Sequence, residues 1–152
     1  METKATQPSA AELYDLDFFE WTVRNSELLR SGRFDEADLG HIAEEIEDMG
    51  KRDRRELRNR LEVLLRHLLK WQLQPERRGR SWRLTTNTQR RRIQGLLSEM
   101  PSLRPHIEEI VPAIYMDAVG ATIDETGISG DCFPAACNFS LDQILDTESF
   151  PN

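Results

Sequence analysis

The sequence predicts an all-α protein, a bundle of four principal helices followed by a short C-terminal helix. Three observations predict it. Apolar residues recur at three- and four-residue steps along most of the chain, the period of a helix face. Gly, Pro and capping residues punctuate those steps where helices start and stop. Sustained alternation of apolar and polar residues, the mark of a half-buried strand, is found nowhere.

Residues 1–12 carry no periodic pattern and read as a flexible tail, and residues 13–152 read as a single helical domain. The first principal helix is expected to start at Asp15 or Asp17, with Glu20 three residues after Asp17 as a capping partner. Phe18, Trp21, Thr22, Asn25 and Leu29 share one face, and Gly32 stops the helix. Asp35 is the expected N-cap of the second helix, with Phe34 and Leu39 spaced as a hydrophobic staple. Leu39, Ile42, Ile46, Met49, Asp53, Leu57, Leu61, Leu64, Leu68 and Trp71 then form one long stripe, ended by Pro75. A straight helix over residues 36–73 is about 57 Å long at 1.5 Å per residue. A domain of this length is only about 40 Å across. The helix is therefore expected to protrude, to pair with a second copy, or to break, with Gly50 the best place for a kink.

Ser81 is the expected cap of the third helix, whose stripe is Trp82, Thr86, Gln89, Ile93, Leu97 and Met100. Its first half is polar, which suggests a wet groove. Pro101 stops it, and Ser102 is the expected cap of a fourth helix with Pro105 in its first turn. Leu103, Ile107, Ile110, Ile114, Ala118 and Ala121 form its stripe, Pro112 is expected to bend it, and Gly127 closes it. Ser140 and Gln143 make a capping box, with Phe139 and Ile144 as a staple, for a final helix over residues 141–146.

Composition bounds the function. The chain is 38% hydrophobic and 31% charged, which suits helices with long solvated faces. No run reaches transmembrane length and the N-terminus has no signal-peptide layout, so the cytoplasm is the expected location, with no membrane partner. Cys132 and Cys137 are the only cysteines, too few for a four-ligand zinc site, and a reducing compartment leaves them as thiols. Nothing implies a cofactor.

The net charge of −7 conceals a segregation. Residues 1–50 carry 4 basic and 13 acidic side chains, residues 51–100 carry 15 and 5, and residues 101–152 carry 1 and 9. Either the flanks neutralise the middle, within the fold or across a dimer, or the middle presents an arginine surface to a phosphate or an acidic partner. The overall acidity favours neutralisation.

Several stretches resemble one bacterial family. They are Leu13-Tyr14 ahead of Asp17-Phe18, Gly32-Arg33-Phe34-Asp35, and residues 44–50 (Glu-Glu-Ile-Glu-Asp-Met-Gly). They continue with residues 67–72, residues 74–78, Arg80-Ser81-Trp82, residues 89–93, residues 101–105 and residues 139–143. The family is the domain of unknown function numbered twenty-nine. The resemblance covers roughly residues 13–145, nearly the whole chain. It implies an all-helical cytoplasmic bacterial domain and implies no activity. His41 and Cys132 are not part of the pattern.

Four constellations stand out. His41, Glu44 and Glu45 share a helix face at metal-like spacing, but no second copy of the motif exists, and a solvated acidic face explains them. His67 adjoins the Leu64–Leu68 stripe and reads as a boundary histidine. With Glu45 it makes an acid–base pair on paper, but 22 residues along one helix is about 33 Å. Trp71 and Trp82 bracket Arg77, Arg78 and Arg80 and read first as core plugs carrying stacked arginines. Ser81 and Ser140 are explained by capping.

The leading expectation is a non-enzymatic interaction module. Its surface would be Arg77, Arg78, Arg80, Arg83 and Arg90 with Trp71 and Trp82, holding an acidic protein partner, a polyanion or the second subunit of a homodimer. One alternative is a small metal-binding or hydrolytic site of Glu44, Glu45, Asp48 and His67. The other is nucleic-acid binding through residues 77–92, which the net negative charge disfavours.

Overall fold

A computed structural model describes residues 6–152; residues 1–5 of the expected tail lie outside the described residues. The described residues form six helices and no strand: α1 (Leu13–Leu16), α2 (Phe18–Arg30), α3 (Leu39–Leu73), α4 (Arg80–Glu99), α5 (His106–Thr126) and α6 (Leu141–Leu145). The fold is all-α. The four long helices are α2 to α5, and α6 is the short C-terminal one. The chain divides into two compact units, one ending at Arg52 and the other beginning at Asp53.

The N-terminal unit is organised by polar bonds around a few aromatics. Asp17 adopts an extended backbone (φ −154°) that ends the single turn α1, and its carboxylate caps α2 by accepting from the Glu20 N–H at 3.1 Å. The extra turn ahead of Asp17 has no counterpart in the expected elements. Ahead of it again, Ser9 and Glu12 exchange bonds between their side chains and N–H groups at 2.7 and 3.2 Å. Gly32 has φ +72°, a left-handed position that favours glycine, and closes α2 as expected.

The cap of α3 is Asp38 rather than Asp35. The Asp38 carboxylate accepts from the His41 N–H at 3.4 Å and also from the Trp21 indole at 2.9 Å. The indole bond gives Asp38 a tertiary partner that the local spacing behind the Asp35 expectation does not register. The staple does not form, since Phe34 and Leu39 are both exposed. Asn25 ties α2 to this corner, donating to the Trp21 carbonyl at 2.9 Å and accepting from the Asp38 N–H at 2.8 Å. The Tyr14 ring stacks on His41 at 3.8 Å.

α3 runs through 35 residues without interruption, so no break occurs at Gly50. At 1.5 Å per residue it is about 52 Å long.

The C-terminal unit contains the hydrophobic core. Leu57, Leu61, Leu64, Leu65, Leu68 and Leu69 of α3 are all 0% exposed and meet Ile93 and Leu97 of α4, the inward residues of α5, Phe133, and Ile144 and Leu145 of α6. Burying each leucine contributes about 2 kcal/mol. α4 begins one residue before Ser81: Gly79 is its N-cap, extended at φ −167°, and Ser81 makes no cap bond. The buried positions of α4 are Thr86, Arg90, Ile93 and Leu97. Thr86 is satisfied by donating to the Trp82 carbonyl at 2.8 Å, so the polar half of this stripe is packed rather than wet.

Pro101–Leu103 form a 3₁₀ turn, and α5 starts at His106 behind its N-cap Pro105, three residues later than a Ser102 cap suggested. Pro112 sits on the exposed side of α5, and Gly127, at φ +72°, ends it. Ser140 and Gln143 cap α6 reciprocally at 3.1 and 2.8 Å, as expected.

Candidate functional site

The expected arginine surface divides into a buried part and an exposed part. Arg90 is 0% exposed and does not belong to any surface. Its Nε donates to the Ile144 carbonyl at 2.8 Å, and its Nη2 to the carbonyls of Gln143 at 2.7 Å and Ser149 at 2.6 Å. Nη1 reaches the Asn87 side chain at 3.2 Å. One turn on, Gln94 donates to the Leu145 carbonyl at 2.8 Å. α6 ends at Leu145, so the Gln143, Ile144 and Leu145 carbonyls are ones a helix C-terminus leaves unpaired, while Ser149 lies beyond the helix. Arg90 and Gln94 are a cap supplied from a different helix, with a cation where the helix dipole favours one. Burial lowers the Arg90 pKa and Asp146 opposes the shift, but guanidinium basicity keeps the group charged.

Trp71, at the end of α3, is 7% exposed. The Phe150 ring lies 4.6 Å from it, and Arg78 and Arg83 lie over it at 5.6 and 5.5 Å. Arg83 also stacks on Phe150 at 4.6 Å, and the Arg78 Nε donates to the Trp71 carbonyl at 2.7 Å. The indole is sealed by its own chain and offers no free face for a base. Trp82 is half-buried under Lys70, whose Nζ sits 4.9 Å from the ring centroid and donates to Glu125 at 2.7 Å. Trp71 is therefore a packing residue, and Trp82 keeps part of its surface exposed.

What stays open is a set of guanidinium groups close together in sequence. Arg77 lies in the 3₁₀ turn Pro75–Arg77, Arg80 begins α4, and Arg83 follows a turn later; all three are exposed. None meets a carboxylate within ion-pair distance among the described residues, unlike Arg54, Arg58, Arg60 and Arg66. Arg78 and Arg83 are held on Trp71, so part of the set is ordered in advance.

The alternative metal group is not assembled. No cluster of three or more His, Cys, Asp and Glu groups placed to hold a metal ion occurs among the described residues. The Glu45 carboxylate accepts from the Tyr14 hydroxyl at 2.7 Å, a bond that pushes the Tyr14 pKa up to about 12. His41 bonds Asp38 at 2.6 Å, which raises its pKa. Asp48 lies 3.7 Å from Lys51. The His67 Nδ1 bonds the Val63 carbonyl at 2.9 Å, and burial, with nearby Lys70 and Arg66, lowers its pKa.

Two recesses were not foreseen. An apolar one of about 360 Å³ is lined by Ile107, Val111, Tyr115, Cys137, Phe139 and Ile144 among others. Burial raises the Cys137 thiol pKa, which makes it a weaker nucleophile, and Cys132 is exposed. A polar recess of about 370 Å³ includes Glu56, Arg60, Arg91, Arg92 and Glu99. Their walls come from helices and loops distant in sequence, so periodicity alone carried no signal for either.

No helix among the described residues is long and apolar enough to cross a membrane. No curated protein and no solved structure matches the chain. A family model described as domain of unknown function DUF29 matches residues 13–150. On a match of that extent the chain belongs to the DUF29 family.

Proposed function

We propose that this protein is a non-enzymatic interaction module whose α3–α4 corner binds an acidic protein segment. The observation that carries the reading is the grouping of exposed Arg77, Arg80 and Arg83 beside Arg78 within seven residues, none in an ion pair among the described residues, with two of them stacked on Trp71. Arg78 and Arg83 are ordered by Trp71 and Phe150, so less side-chain entropy is lost on binding a carboxylate. Arg90 has no part in the contact, because its donors are taken by backbone carbonyls. The sealed Trp71 ring favours an acidic peptide over single-stranded nucleic acid, which needs an open aromatic face.

The test is fluorescence anisotropy with a labelled oligoglutamate peptide and with a single-stranded oligonucleotide, each across a salt series. The peptide is expected to bind at low salt and to release as salt rises. Arg77→Ala with Arg80→Ala weakens it about fivefold, the magnitude of two solvent-exposed charge contacts. No peptide binding at low salt, or binding indifferent to the double substitution, refutes the reading. Tighter binding of the oligonucleotide would replace it with the nucleic-acid one.

A further inference from the structure

The apolar recess is built by two segments that the sequence keeps apart. On α5, Ile107, Val111 and Tyr115 recur a turn apart, each followed by a more exposed lining residue, Glu108, Pro112 and Met116. The rest of the lining comes from residues 135–144. Ile107, Val111, Tyr115 and Ile144 are its buried part. The walls are held in place by bonds of the chain itself. The Tyr115 hydroxyl donates to the Pro134 carbonyl at 2.8 Å, tying the loop to α5, and Arg90 fixes α6 through the Gln143 and Ile144 carbonyls. The volume, about 360 Å³, lies at the low end of ligand sites. At a water's share of about 30 Å³ that is room for about a dozen non-hydrogen atoms.

We infer that this recess binds a small apolar amine, an ammonium group carried on an aromatic or short aliphatic body. Two observations select a cation. The first is charge. Glu108 is the one charged residue in the lining, and no Lys, Arg or His joins it among the described residues. The stretch from 101 to 152 carries 1 basic and 9 acidic side chains, so an apolar acid would meet repulsion with no cation to offset it. The second is an acceptor without its helix partner. Pro112 lies inside α5 and has no N–H, so the Glu108 carbonyl four residues earlier lacks the bond its position would otherwise receive. The proline ring also crowds that carbonyl away from the helix axis. Glu108 and Pro112 both line the recess and both are exposed. One residue of an otherwise uncharged lining therefore carries two acceptors, a carboxylate and a free carbonyl. An ammonium, with three N–H donors and no acceptor, satisfies both, while its apolar body covers Ile107, Val111 and Ile144. The arginines of the α3–α4 corner are not involved, so this inference and the proposed function stand or fall separately.

The probe is phenethylammonium near neutral pH, with phenylpropionate as its anionic counterpart and anisole as a neutral ring without a donor. Each is titrated into the full chain and followed by amide NMR. The ammonium is expected to shift amides within residues 107–116 and 135–144 and to saturate with a Kd on the order of 1 mM, which a fragment of this size reaches. Phenylpropionate is expected to bind at least about tenfold more weakly, because its carboxylate meets Glu108. Cys137 gives an independent readout, since it lines the recess and the exposed Cys132 does not. At about ten times the Kd, the ammonium is expected to slow alkylation of Cys137 by up to about tenfold, the factor by which the free site falls, and to leave Cys132 unchanged. Glu108→Gln is expected to weaken the ammonium about fivefold and to leave anisole unchanged. Pro112→Ala supplies the missing N–H at an exposed position, so the helix is kept, and is expected to weaken the ammonium about threefold more than anisole. An ammonium that fails to saturate by about 20 mM overturns the inference. So do shifts centred outside the recess, phenylpropionate bound as tightly as the ammonium, or an ammonium affinity indifferent to Glu108→Gln.

Discussion

Replacing Arg90 is expected to release the C-terminal segment from the α4 face. In Arg90→Met the three carbonyls of Gln143, Ile144 and Ser149 lose their donors while the aliphatic volume is kept. A hydrogen bond to a charged group is worth about 1.5–3 kcal/mol, but part of that gain is offset by the cost of burying a guanidinium that has no carboxylate. Local fraying also lets some carbonyls reach water. The net destabilisation is therefore expected at about 3–5 kcal/mol, below the simple sum of three bonds. For a chain of this length that lowers Tm by about 10 °C. Arg90→Lys keeps the charge without the planar fork and is expected to fall between the two. Urea denaturation followed by circular dichroism gives the free energies. Amide hydrogen exchange locates the loss: Leu145 and Asp146 are expected to exchange ahead of global unfolding in Arg90→Met and not in the natural chain. A destabilisation under about 1 kcal/mol with unchanged exchange over residues 141–150 would refute the clasp, because it would mean those carbonyls are satisfied without Arg90.

Three further outcomes follow from the same geometry. The Lys70–Glu125 pair is asymmetric, with side chains 5% and 49% exposed. Glu125→Gln leaves a charge buried beneath Trp82 and is expected to cost about 2–4 kcal/mol, while Lys70→Met leaves a carboxylate that can hydrate and costs about 1 kcal/mol; equal losses in urea melts would contradict this. His41 and His67 are expected to titrate on opposite sides of the unfolded value near 6.5, read by two-dimensional NMR of the imidazole protons. The raised pKa of His41, from its bond to Asp38, means its stabilising contribution is complete below pH 6.5 and disappears as pH rises through the folded pKa. The lowered pKa of His67, from burial, means the unfolded chain takes up the proton first, so its contribution is lost as pH falls below 6.5; reversed positions would refute both assignments. Gly127→Ala places a Cβ at φ +72° and is expected to cost about 1–2 kcal/mol, although nothing lies within 4 Å to clash; an unchanged melt would show that the left-handed turn relaxes.

Sequence by itself determined the features that are local. Pro75, Pro101 and Gly127 remove a donor or favour a left-handed turn, and each ends its helix wherever the helix sits. The Ser140–Gln143 box closes within one turn, and the leucine stripe of α3 needs only a 3.6-residue period to announce a core. Tertiary structure decided the rest. Local spacing points to Asp35 as the cap of α3, and it is Asp38, bonded to the Trp21 indole, that takes the place. Arg77, Arg80 and Arg90 are one basic run in sequence, yet the first two face solvent and the last is the largest of the fully buried side chains. The reason is physical. An arginine can be buried only where acceptors converge on it, and the acceptors of Arg90 are backbone carbonyls 53, 54 and 59 residues further along, which have no signature in the side-chain sequence.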